Sequence, residues 1–138
     1  MKILVVDNDH NTAETIKAVI TTKTEYQVDV AYKGQDGLDK MRLETQYDLL
    51  ILDIMMPEMS GIDVCKVMIS EEKLKNIPIL LVSALPILSQ EFQASLKEFE
   101  ELQLITSVLE KPFTVDALIT KINTIIQLKQ NTPTGPIS

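Results

Sequence analysis

Short apolar runs closed by a polar residue alternate along the chain with segments whose apolar residues recur every three or four positions. Ile3 to Val6, Leu49 to Leu52 and Ile79 to Val82 are too short for helices and apolar throughout, the pattern of strands buried on both faces. Gln27 to Ala31 and Ser107 to Leu109 read as weaker strands. Helical periodicity is clearest from Thr114 to Gln130, where Val115, Leu118, Ile119, Ile122, Ile125 and Ile126 share one face and Thr114, just after Pro112, supplies the cap. Ala13, Ile16 and Ile20 mark a first helix, and Leu38, Met41 and Arg42 a second. Ile62, Cys65 and Ile69 mark a third, and Leu88, Phe92, Leu96 and Phe99 a fourth.

A strand followed by a helix, five times over, predicts an α/β domain with a five-stranded parallel sheet, right-handed crossovers and helices on both faces. Residues 1–130 form that single domain, and the uncharged Pro/Gly/Thr/Ser stretch 131–138 reads as a flexible tail or the start of a linker. Charge narrows the partners. With 20 acidic against 13 basic residues in 138, a net −7, and no basic cluster, direct binding to nucleic acid is not expected. A single cysteine, Cys65, forms no internal disulfide and fits a reducing, cytoplasmic setting. No apolar run is long enough to span a bilayer, so no membrane association is expected.

Parallel sheets bind ligands beyond the carboxyl ends of their strands, which directs attention to the residues closing each run. They are Asp7-Asn8-Asp9, Asp53, Ser83 and Glu110-Lys111-Pro112. If the first and third strands are neighbours, Asp7 and Asp53 repel each other, raising the pKa of one unless a cation intervenes; Mg2+ is the natural partner of such hard oxygens. Singly, each residue has a plainer reading: an acid capping the next helix, a hydroxyl capping a loop, a surface lysine. His10 reads as an exposed residue of the first helical turn, Cys65 as a buried core thiol, and Met55, Met56 and Met59 as packing residues.

Taken together, Leu50-Ile-Leu-Asp53-Ile-Met-Met-Pro57-Glu-Met-Ser-Gly61, Ile3-Leu-Val-Val-Asp7, Leu81-Val-Ser83-Ala84 and Lys111-Pro112-Phe113 resemble the receiver domain of two-component response regulators, over about residues 2 to 130. The resemblance implies a flavodoxin-like fold with strand order 2-1-3-4-5. It also implies a phosphoacceptor switch, not a turnover enzyme, in which Asp53 receives a phosphoryl group from a sensor histidine kinase or phosphotransfer protein. Ser83 and Lys111 would contact the phosphoryl oxygens. Mg2+ would be held by Asp7, Asn8, Asp53 and the main-chain carbonyl of Met55. Pro57 and Gly61 would turn the chain into the third helix. A downstream protein target would meet the face built by the fourth helix, fifth strand and fifth helix.

Three features depart from that pattern. Asn8 stands where an acid is usual, so a neutral amide replaces a charged metal ligand and weaker Mg2+ affinity is expected. Val108 replaces the usual aromatic three residues before Lys111 and has no ring to rotate. The stretch from Ser83 to Lys111 is longer than usual and carries an acidic fourth helix, with four glutamates and one lysine between Glu91 and Glu101. Met55 and Leu85, which flank the path of attacking water in receivers, are both apolar and predict slow dephosphorylation. Two other functions remain open: a degenerate receiver that only binds proteins, and a phosphohydrolase similar to the haloacid dehalogenases, using Asp7 of its Asp7-Asn8-Asp9 motif. The chain is either a stand-alone receiver or part of a longer regulator or hybrid kinase.

Overall fold

The computed structural model describes residues 1–43, 47–84, 89–91, 93–94, 97 and 105–131. Five strands, β1 (Lys2–Val6), β2 (Gln27–Ala31), β3 (Leu49–Asp53), β4 (Ile79–Ser83) and β5 (Ile105–Glu110), form one parallel sheet in the order β2-β1-β3-β4-β5. Helices α1 (His10–Lys23), α2 (Gly34–Leu43), α3 (Gly61–Ile69) and α4 (Val115–Asn131) lie between and after them. The predicted fold class and strand order both hold. The three apolar runs are the central strands, covered on both faces, which is why they carry no polar alternation.

Successive residues of each strand feed two separate cores. Leu4, Val6, Leu50, Leu52 and Leu81 face Leu38, Met41, Val64, Cys65 and Met68 of α2 and α3. Ile3, Val5, Leu49, Ile51, Leu80 and Val82 face Ala13, Ile16 and Ile20 of α1 and Leu118, Ile122, Ile125 and Ile126 of α4. Thr114 caps α4 as expected, its Oγ1 accepting from the Ala117 N–H at 3.0 Å. The helix runs one residue into the predicted tail; residues 132–138 lie outside the described part.

Two expectations change. In α3 the buried stripe is Gly61, Val64, Cys65 and Met68, whereas Ile62 is only half-buried and Ile69 is 43% exposed. This helix is apolar on most of its circumference, so several stripes fit the periodicity; the Ser60–Asp63 capping box and the tight seat of Gly61 choose among them. In the fourth predicted helix, Gln90, Glu91, Gln93, Ala94 and Lys97 are helical, while Leu88, Phe92, Leu96 and Phe99 lie outside the described residues.

Candidate functional site

The register of β1 on β3 pairs Val6 with Leu52, so Asp7 and Asp53, each one residue further on, meet at the carboxyl end of the sheet. Asp7 is held there by its backbone: its N–H donates to the Ala31 carbonyl at 3.1 Å. Its carboxylate accepts from the Asp9 N–H at 2.9 Å, which fixes the side chain. Asp9 turns the other way and caps α1, accepting from the Thr12 N–H at 3.3 Å; that hydrogen bonding holds its carboxyl below the usual value. The plain reading of a strand-end acid as a cap is therefore right for Asp9. Asp7 also acts as the turn former that a strand-end acid commonly is, through its bond to the Asp9 N–H.

Beyond Asp53 the chain folds back sharply. The Gly61 N–H donates to the Ile54 carbonyl at 2.8 Å, and a Cβ on Gly61 would lie 2.5 Å from the Asp53 carbonyl oxygen. Only glycine fits so close an approach. The loop between them holds Glu58 at a φ of 67°, with the Met59 N–H on the Pro57 carbonyl at 2.7 Å. Met55 gives its backbone N–H to the Asp53 carboxylate and leaves its side chain 58% exposed.

On the other side, β4 ends in Ser83, fully buried, whose carbonyl accepts from the Lys111 N–H at 2.7 Å. That bond brings the start of the β5–α4 connection over the site, where the Lys111–Pro112 peptide is cis. The Lys111 ammonium reaches Asp7 Oδ2 at 2.8 Å and Asp53 Oδ1 at 3.6 Å. A groove lined by Asn11, Thr12, Thr15, Ala84, Pro112 and Phe113 opens beside it.

Electrostatically the site is under-neutralised. Burial first, and then the Asp7 carboxylate beside it, push Asp53 up to about 6, against the opposing pull of Lys111 and the Met55 N–H. The sequence points to the repulsion; burial, the larger cause, is visible only in the fold. Two carboxylates facing one ammonium leave a negative charge, and this donor set fits a hard divalent cation. Among the described residues no three His, Cys, Asp or Glu side chains form a metal cluster. Asn8, expected from the sequence as a further donor, is exposed, and neither its amide nor the expected main-chain carbonyl of Met55 carries charge.

Of the predicted site residues, then, Asp7, Asp53 and Lys111 are in contact, Ser83 joins through its backbone, and Met55 is tied to Asp53. Asn8 sits in the turn directly after Asp7. His10 is the exposed first residue of α1, as read from the sequence, but its ring stacks on Tyr32. The sequence reading missed Tyr32; an aromatic directly following β2, level with Asp7, is the signal that marks it. No helix among the described residues is long and apolar enough to cross a membrane.

A search of protein families matches residues 3–123 to the response regulator receiver domain. The response regulator ArlR of Staphylococcus aureus strain Mu50 is 37% identical over 83 residues, which is 60% of this chain and 36% of that protein. The chain thus matches about a third of the length of its curated relative. Among solved structures, the receiver domain of the Francisella response regulator 1452 is 29% identical with a TM-score of 0.74, over 93% of this chain and 98% of that one. The chemotaxis protein CheY4 of Vibrio cholerae is 25% identical with a TM-score of 0.78, over 90% of this chain and 97% of that one. These matches leave the phosphohydrolase reading without support, as does the use of Asp9, the second acid of its motif, as a helix cap. The chain belongs to the response regulator receiver domain family.

Proposed function

We propose that Asp53 accepts a phosphoryl group from a phosphohistidine donor, a sensor histidine kinase or phosphotransfer protein, and that the resulting acyl phosphate is the signal. Receiver domains are signalling switches, not turnover enzymes, and response regulators work with histidine kinases. The observation that carries this reading for the present chain is the Lys111 ammonium, 2.8 Å from Asp7 and 3.6 Å from Asp53. It is a cation already placed where oxygens would be added to Asp53.

Burial and the neighbouring Asp7 raise the pKa of Asp53 to about 6, and it acts as nucleophile in its ionised form. One of its oxygens attacks phosphorus, the phosphorus–nitrogen bond to the donor imidazole breaks, and the departing nitrogen takes a proton from water. Lys111 pairs with one phosphoryl oxygen, the Ser83 hydroxyl donates to another, and Ala84 leaves room beside them. Asp7, Asn8, Asp53 and the Met55 carbonyl are the residues that would hold Mg2+, which supplies charge neutralisation for the phosphoryl oxygens. The Met55 side chain, two residues after Asp53 and 58% exposed, has no group to orient an attacking water, which favours slow hydrolysis; Leu85 lies outside the described residues.

The output face is proposed as β5, α4 and the segment 88–99. Val108 is half-buried against the core under α2 and α3, so the phosphorylated state is relayed by loop and backbone movement and not by a swinging ring. A cytoplasmic setting goes with this reading.

Incubation with acetyl phosphate and Mg2+ tests it. Intact mass should show one labile phosphoryl group, lost on adding EDTA beforehand and absent from Asp53→Asn. Labelling that persists in that variant overturns the assignment of Asp53. A second reading, a receiver that binds partners without phosphoryl chemistry, draws on the neutral Asn8; an unlabelled parent would favour it.

A further inference from the structure

The turn that carries Asn8 is anchored at both ends to consecutive residues of the chain leaving β2. At one end the Asp7 N–H donates to the Ala31 carbonyl at 3.1 Å. At the other, the His10 ring stacks on Tyr32, with centroids 3.7 Å apart and planes within 20°. Tyr32 is itself clamped: its hydroxyl donates to Glu14 at 2.5 Å, and its ring packs against the core under α1 and α4. Glu14 lies four residues after His10, on the same face of α1. His10, Tyr32 and Glu14 therefore close a ring of contacts across the first turn of α1, and Asn8 and Asp9 are the only residues between the two anchors.

We propose that Tyr32 is a positioning residue for the cation site, holding His10 by ring stacking and so fixing the turn from which Asn8 faces the metal. This rests on the function proposed above. A charged ligand draws a cation from several directions. A neutral amide gains little unless it is already in place, so a chain with Asn8 in this position depends more on a fixed turn. Asp9 does not substitute, because its carboxylate is engaged as the cap of α1. Groups that orient metal ligands without touching the metal commonly change affinity by about 10- to 100-fold, and one surface stack belongs at or below the lower end of that range.

Mg2+ affinity of the whole chain, read by NMR shift titration, tests the proposal. His10→Ala and Tyr32→Ala should each raise the dissociation constant about 3- to 10-fold, and Tyr32→Phe, which keeps the stack and loses the bond to Glu14, less. Phosphorylation by acetyl phosphate should then need more Mg2+ for half-maximal rate and reach the parent rate at saturation. In an Asn8→Ala background, Tyr32→Ala should weaken Mg2+ binding by less than about twofold, because the ligand it positions is gone. His10→Ala removes only an exposed side chain, which keeps the test independent of any folding defect in Tyr32→Ala. Variants that bind Mg2+ as the parent does, or an equal loss with and without Asn8, overturn the positioning role alone. A parent that binds no Mg2+ overturns the proposed function and this inference with it.

Discussion

Two polar clusters, each with one lysine and two aspartates, lie toward opposite ends of the sheet and behave in opposite ways. At the amino end, the Lys2 ammonium lies 3.5 Å from Asp29, its backbone N–H donates to Asp48 at 2.8 Å, and the Tyr47 hydroxyl donates to Asp29 at 2.5 Å. At the carboxyl end, Lys111 faces Asp7 and Asp53. Each is one lysine with two aspartates. Yet Asp29 is held below its usual value, by the Tyr47 hydroxyl first and then by Lys2, whereas Asp53 is pushed up to about 6. The Asp29 side chain is 37% exposed and that of Asp53 only 7%, so water solvates one charge and is kept from the other. A carboxylate satisfied by a neutral donor and water is structural; one buried beside a second acid holds unfavourable charge that an added cation relieves.

Removing the lysine from each cluster should separate them most sharply. Lys111→Met leaves two buried carboxylates without a cation and should destabilise the protein by about 2–4 kcal/mol at pH 8. The loss should shrink by pH 5, where Asp53 takes up a proton. Lys2→Met breaks a pair that water already screens and should cost about 1 kcal/mol or less, with little pH dependence between those values. Urea unfolding of both variants at the two pH values measures the difference; equal losses at pH 8 would show that the ends are energetically alike.

Asp53 itself should be a liability to the fold. Its pKa rises from 3.8 to about 6 on folding, so between those values the folded state binds more protons than the unfolded one. Stability from this group is therefore highest below about pH 4, declines as pH rises through the window, and is lowest above about pH 6. Asp53→Asn cannot ionise and should be more stable than the parent by about 1–3 kcal/mol at pH 7, and nearly equal to it at pH 4. Chemical unfolding at both values checks this. A variant no more stable at pH 7 would mean that Lys111 fully compensates the charge.

The contrast between the ends also marks what the sequence makes legible. The central strands were predicted to within a residue at each boundary, because Ile3 to Val6, Leu49 to Leu52 and Ile79 to Val82 are buried on both faces and their pattern has one explanation. Asp7, Asp53, Ser83 and Lys111 were visible as strand-end residues, since topology alone gathers them. The α3 stripe was misjudged because an almost wholly apolar helix has no polar face to orient it. The Lys2–Asp29–Asp48–Tyr47 cluster was not seen at all. Its members come from three distant segments, with Lys2 opening β1, Asp29 in the middle of β2 and Asp48 just before β3, and none of them signals which partner the register will supply. The stack of His10 on Tyr32 escaped for the same reason.

A third measurement sharpens the carboxyl end further. Asn8→Asp adds a third carboxylate to a cluster already short of cations, which the amino-end cluster, open to water and hydroxyl-bonded, would tolerate. Mg2+ binding should tighten on the order of tenfold through the added charged ligand. Without Mg2+ the variant should lose roughly 0.5–1 kcal/mol, a modest amount because position 8 is exposed and water screens the new charge. Calorimetric titration and thermal unfolding with and without Mg2+ read both effects. Unchanged affinity would show that this side chain does not face the metal.

The smallest effect should come from the amino end, and it isolates what makes Asp29 ordinary. Tyr47→Phe removes the hydroxyl that is the main cause of the lowered Asp29 value while keeping the buried ring, 4% exposed, and its place under the Lys2 ammonium 5.4 Å away. A carboxylate whose folded value is depressed contributes stability above its unfolded value and loses it as pH falls through the folded one. The variant should therefore be less stable than the parent by about 0.5–1.5 kcal/mol at pH 7, with the gap closing as the solution is acidified below about pH 4. The pKa of Asp29, followed by NMR, should move up toward its ordinary value. Phosphoryl transfer to Asp53 should keep the parent rate, because Asp29, in the middle of the edge strand β2 and open to water, adds little screened field at the site. If instead Tyr47→Phe altered the labelling rate at Asp53, the two ends would be coupled through β1 and β3, and a sheet that carries charge information along its strands would replace two independent clusters.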